Sequence, residues 1–176
     1  MRQYRRLTVI YREYPRNFWT LIGASFIDHV GGALLFPFFT LYLTNKFDLE
    51  MTNAGVIIMI FTLSGIVGST IGGALSDQIG RKSLLLFSLI FSAGSTLWMG
   101  TIEDFNLFYP GAIIIGLLSD VGGPARQAMV ADLLPEEQRA DGFGILRVVI
   151  NLAVTIGPAI GGLLAAQSYM LLFISD

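Results

Sequence analysis

The charged side chains Asp28, Asp120, Arg126 and Arg147 stand deep inside stretches that are otherwise largely apolar. A charge in such surroundings is costly, and it faces a cavity or a partner of opposite sign. Intramembrane charges of this kind mark substrate or ion pathways. Asp28 lies roughly eleven residues into its run, about 15 Å along a helix at about 1.5 Å per residue. Taken as a structural acid, it pairs with Arg126 or Arg147. His29 follows directly and points about 100° away on a helix, which fits a packing or hydrogen-bonding residue better than a relay. Asp120 and Arg126 are six apart, so on one continuous helix they face different sides and need partners from other helices. Arg147 and Asn151 share a face and can line a cavity. With a single histidine and no cysteine, no nucleophile–base set or metal-ligand cluster is legible, and neither an enzyme nor a cofactor is expected.

The elements that must carry these residues are membrane helices. The chain has 176 residues, of which 53% are hydrophobic and 14% charged. Soluble domains carry roughly a quarter charged residues. Nothing basic outside the amino terminus suggests nucleic acid. Runs long enough for a span of about 20 residues occupy about 18–44, 54–77, 83–101, 107–133 and 142–165. A sixth begins at 168, and its apolar part, MLLFIS, is too short to cross. The expectation is a chain that stops inside an element, either a fragment of a longer protein or a truncated product. Residues 1–17 form a basic amino terminus with Arg2, Arg5, Arg6, Arg12 and Arg16 against Glu13. The positive-inside rule puts this segment in the cytoplasm, and residues 18–176 form the bundle. Alternation then places Gln78–Lys82, with Arg81 and Lys82, inside, and Arg139 inside as well. Lys46 is the lone flanking base outside.

The stretch Gly72 to Lys82, GGALSDQIGRK, joins the second run to the third. Ser64, Gly68, Gly72 and Ser76 repeat every four residues before it, a stripe that lets another backbone approach closely. Gly80 can take the positive φ of a tight turn. This stretch resembles the loop between the second and third helices of the major facilitator superfamily, Gly-x-Leu-Ala-Asp-Arg-x-Gly-Arg-Lys. Gly73, Leu75, Asp77, Gly80, Arg81 and Lys82 match, while Ser76 and Gln78 depart from it. The spacing of Asp28 to Pro37 is similar to the first-helix signature of the family's drug–proton antiporters. Gly157, Pro158, Gly161 and Gly162 resemble their fifth-helix signature, with Ala153 replacing an earlier glycine. Asp132, Pro135 and Arg139 resemble the family's link between the fourth and fifth helices. The arginine that many members carry four residues before the position of Gly116 is Ala112 here.

That resemblance implies an all-α membrane protein, the amino-terminal six-helix half of a major facilitator fold, truncated in the sixth helix. It implies secondary active transport, here proton-coupled efflux of small drug-like molecules by alternating access, at the cell membrane. Asp28 would then carry the proton or contact a cation, with Asp120, Arg126, Arg147 and Asn151 as further candidates. Asp77, Arg81 and Asp132 would latch the cytoplasmic side, beside Gly73, Gly80, Lys82 and Arg139. The implied partners are a small-molecule substrate, protons, the lipid bilayer and a carboxy-terminal half. A facilitator or symporter of another solute on the same fold stays open, as does a half-transporter without activity of its own.

Overall fold

A computed structural model describes residues 13–175, and all regular structure among them is helical. Helix α1 spans Arg16–Phe47, α2 Met51–Ile79 and α3 Arg81–Thr101. A 3-10 turn, Phe105–Leu107, leads into α4, Phe108–Ser119. Then follow α5, Gly122–Leu133, α6, Glu136–Ala165, and the short α7, Tyr169–Ser175. The basic residues Arg2, Arg5, Arg6 and Arg12 lie outside the described residues, as does Asp176; Arg16 opens α1. Five units among the described residues are long and apolar enough to cross a membrane: α1, α2, α3, the stretch Phe105–Leu133 and α6.

The ends and interruptions follow from local chemistry. Asp48 stops α1 in the left-handed region, at φ 52°, with its N–H donating to the Thr44 carbonyl. The turn from α2 to α3 is one residue, Gly80, at φ 91° and ψ 134°. Those angles lie outside the regions open to a residue with a Cβ, so glycine is required. The fourth span breaks at Asp120–Val121, and Pro124 explains where. In an unbroken helix the donor to the Asp120 carbonyl would be the N–H of residue 124, which proline lacks, and the ring would press on that same carbonyl. The Gly123 N–H donates to Asp120 instead, at 3.2 Å. Pro124 then sits in the first turn of α5, where its missing donor costs nothing. Pro37 and Pro158 lie inside α1 and α6, which continue through them.

Glycine decides the closest packing. A Cβ at Gly68 or Gly72 of α2 would collide with the backbone oxygen of Leu117 or Val121, and one at Gly116 would lie 2.5 Å from the Phe61 carbonyl oxygen. The small-residue stripe of the second span therefore rests on the fourth. On the other side, a Cβ at Gly157 would be 2.5 Å from Ala33 Cβ, and one at Gly161 2.5 Å from the Leu34 carbonyl oxygen. Span five thus packs on span one as span two packs on span four, the relation expected of two inverted three-helix repeats.

Two cores result. One gathers aromatic residues at one end of the bundle, including Phe39, Tyr42, Phe108 and Phe173. The other, largely aliphatic apart from Tyr14 and Phe18, lies at the opposite end and includes Leu84, Leu85, Val130, Leu134 and Leu146. Phe173 of α7 fills the space over Gly100 and meets the Tyr42 ring edge-on at 4.7 Å. Asp28 falls between the two cores along α1, between Ile22 and Leu35.

Candidate functional site

A cavity of about 910 Å³ opens between the cores. Its walls are mostly apolar, from Ile27 and Phe36 of α1, Phe61 and Ile66 of α2 and Val154 and Pro158 of α6. Its charged lining consists of Asp28, His29, Asp120 and Arg126. The Arg126 Nη2 donates to Asp28 Oδ2 at 2.5 Å, and the guanidinium is only 13% exposed against 26% for the acid. Removing either partner would strand a poorly hydrated charge, so the pair is held strongly in place.

His29 joins this pair. Its Nδ1 lies 2.8 Å from the Ser25 carbonyl oxygen and 3.5 Å from Asp28 Oδ2. Arg126 Nη1 lies 3.3 Å from each ring nitrogen, so the guanidinium meets the ring and not one end of it. A neutral ring with its proton on Nδ1 donates to Ser25 and leaves Nε2 as an acceptor facing Arg126. The buried Nε of Arg126 has no hydrogen-bond partner among the described residues.

Asp120 reaches the same cavity through the helix break. On a straight helix it and Arg126 would diverge; the interruption before Gly122 turns both toward one space. The Ser88 hydroxyl donates to the Ser119 carbonyl and fastens the break to α3, and Gly122 leaves room for Ser88 there. Arg147 and Asn151 are elsewhere. Both are exposed on α6, outside the cavity lining, and the structure does not bring them to Asp28.

The charged loop forms a second cluster. Arg81 makes an ion pair with Asp132 Oδ2, approaches Asp77 Oδ1 at 3.8 Å and donates through Nη1 to the Ala128 carbonyl at 3.0 Å. Arg139 donates from Nε to the carbonyls of Ala131 at 3.0 Å and Leu134 at 3.3 Å. Two guanidiniums thus cover the carboxy-terminal carbonyls of α5, where orphan acceptors and the helix dipole favour cations. Asp77 and Asp132 are 74% and 56% exposed, so each pair adds about 1 kcal/mol or less. Lys82 is exposed, and a Cβ at Gly73 would meet open space. The Gly157-Pro158 and Gly161-Gly162 stretch lies along Val30–Phe38 of α1, one turn from the ion pair.

The six-residue spacing predicts different sides for Asp120 and Arg126, which the break overrides, whereas His29 is the hydrogen-bonding residue its position suggests. The missed signal was Pro124, placed four residues after Asp120. The carbonyl-capping of α5 by Arg81 and Arg139 carried no sequence signal beyond the charges themselves.

Comparison with known proteins agrees with this architecture. The Major Facilitator Superfamily model matches residues 21–175. The MFS-type transporter YttB of Bacillus subtilis (strain 168) is 28% identical over 162 residues, 92% of this chain and 41% of that protein. The quinolone resistance protein NorA of Staphylococcus aureus is 29% identical, covering 90% of this chain and 40% of its own length. A Na(+), Li(+), K(+)/H(+) antiporter of Planococcus maritimus is 27% identical over 87% of this chain and 37% of its own. The chain spans about two fifths of the length of these relatives. With five apolar spans among the described residues, paired as inverted repeats around a charged cavity, this multi-pass membrane chain belongs to the Major Facilitator Superfamily and has the fold of the amino-terminal half of its transporters.

Proposed function

We propose that the chain is half of a proton-coupled exporter of small drug-like molecules, working by alternating access at the cell membrane with its amino terminus in the cytoplasm. The observation that carries this reading is the charged group Asp28, His29, Asp120 and Arg126 set in an apolar cavity of about 910 Å³. The volume suits an organic molecule, and intramembrane acids of this kind serve proton relays. Similarity to a quinolone resistance protein and to a cation–proton antiporter supports both parts. Arg81, Asp77 and Asp132 act as a cytoplasmic latch in this reading, and a second half encloses the open side of the cavity.

The test uses the complete product of the gene, this chain with any sequence that follows in frame, in proteoliposomes. With membrane potential clamped, an acid lumen should drive uptake of ethidium, whose permanent charge prevents passive trapping. Reversing the gradient should reverse the flux. Transport indifferent to the gradient would make the protein a facilitator, and co-directional movement of proton and solute a symporter. Either outcome overturns the antiport reading.

A further inference from the structure

Building on the exporter reading above, we infer that Asp120, not Asp28, is the carboxylate that exchanges a proton for an organic monocation in the cavity, and that Asp28 is a positioning residue for Arg126. The contrast lies in how the two acids are engaged. Asp28 Oδ2 accepts from the part-buried Arg126 guanidinium at 2.5 Å and has His29 Nδ1 at 3.5 Å. Its charge is answered and its approach is occupied. Asp120 is exposed to the same cavity and makes no ion pair or side-chain hydrogen bond among the described residues. It lies about 20 Å from either end of the stretch Phe105–Leu133, near mid-membrane.

The surroundings of Asp120 leave its carboxylate accessible. A Cβ at Gly65 would lie 3.1 Å from Oδ2, and one at Gly123 3.6 Å from Oδ1, so each oxygen borders a residue without a side chain. The carboxylate itself takes up the space these glycines leave, and it stays exposed to the cavity. Gly65 belongs to α2, which packs against this span, so two elements seat the acid at the cavity edge.

The charge inventory sets the ligand class. The ionisable groups facing the cavity are Asp28 and His29 from α1, Asp120 at the break and Arg126 from α5. The parts of α2, α3 and α6 that line it supply none. Asp28 and Arg126 cancel, and a neutral His29 adds nothing, so ionised Asp120 leaves one uncompensated negative charge. One proton or one monovalent cation restores neutrality. The apolar walls, with Phe36 and Phe61, suit the body of an organic cation. In the exchange, the monocation enters, the Asp120 carboxyl releases its proton to water, and the carboxylate pairs with the cation. No covalent bond to substrate forms or breaks, and the charge of the occupied site is the same before and after. Ala112, which has no ionisable group, supplies no further cation.

Difference infrared spectroscopy on the complete gene product, with tetraphenylphosphonium as the probe, separates the two acids. Adding the cation to the wild-type protein should remove a protonated-carboxyl C=O band and release a proton to a pH indicator. Asp120→Asn should lose both signals. Asp120→Glu should keep both with the band shifted, which excludes misfolding as the cause. Asp28→Asn should bind the probe more weakly, because Arg126 then turns on Asp120, yet the band should remain at saturating probe. Persistence of the band in Asp120→Asn, or its loss in Asp28→Asn alone, overturns the assignment while leaving the exporter reading intact. A wild-type protein that binds the probe with no band and no proton release overturns both.

Discussion

Replacing Gly157 by alanine tests how closely α1 and α6 must approach. The new Cβ would lie 2.5 Å from Ala33 Cβ and 2.9 Å from the Ala33 carbonyl carbon, whereas ordinary Cβ contacts begin at 3.4 Å. Neither obstacle is the far end of a flexible side chain, so the helices must part by about 0.9 Å at this level. A gap of that size forfeits a quarter to a half of the dispersion energy of the facing atoms, and overpacking of this kind costs about 1–3 kcal/mol. For a chain of this length that lowers the melting temperature by roughly 3–10 °C. Gly144 on the same helix is the control, since a Cβ there meets nothing within 4 Å; alanine should be neutral or stabilising by up to about 1 kcal/mol. Melting of detergent-solubilised protein, followed by loss of the monodisperse chromatographic peak, reads both variants. Equal melting temperatures for Gly157→Ala and Gly144→Ala would refute the close-packing argument.

Gly80→Ala meets no steric neighbour but forces an alanine to φ 91°; a loss of about 1–3 kcal/mol is expected in the same melt, and an unchanged melting temperature would refute the strain. Asp132→Asn should slow transport by the complete gene product more than Asp77→Asn, because Arg81 contacts Asp132 more closely and reaches Asp77 only at 3.8 Å. Equal rates in the two variants would count against Asp132 as the main anchor. In this cysteine-free chain, single cysteines at Gln78 and Asn53 should react with impermeant thiol reagents from opposite sides of the membrane, Gln78 from the cytoplasm. Labelling of both from outside would refute the proposed topology.

Much of the packing was legible because small residues at four-residue spacing state directly which face of a helix another backbone must meet. Gly68, Gly72, Gly157 and Gly161 are of this kind, and each abuts main-chain or Cβ atoms of another helix. Pairing between charges was less legible. Arg126 and Arg147 are chemically equivalent candidates for Asp28, and only the rotation of α5 and α6 distinguishes a buried partner from an exposed one. That rotation depends on the break at Asp120, where a single missing N–H re-aims everything after it. The pairing of Arg81 and Asp132 joins residues 51 apart in sequence, visible beforehand only through the family resemblance. Gly73 shows the opposite limit: it matches the signature, yet no packing within these residues requires it.

The interruption in the fourth span has a mechanical consequence. It leaves α5 as a rod of 12 residues, about 18 Å long at 1.5 Å per residue, with a pair of glycines at its inner end. Arg126 is its fifth residue and Asp132 its eleventh, about 9 Å further along and under the guanidiniums of Arg81 and Arg139. A hydrogen-bonded helix so short does not bend appreciably between its ends. A displacement of Arg126 in the cavity is therefore carried along α5 to the cluster of Arg81, Asp132 and Arg139, and the lipid-facing helices need not deform to carry it. A pull on one guanidinium and a shift of the charged loop about half a rod-length away are thus mechanically one movement.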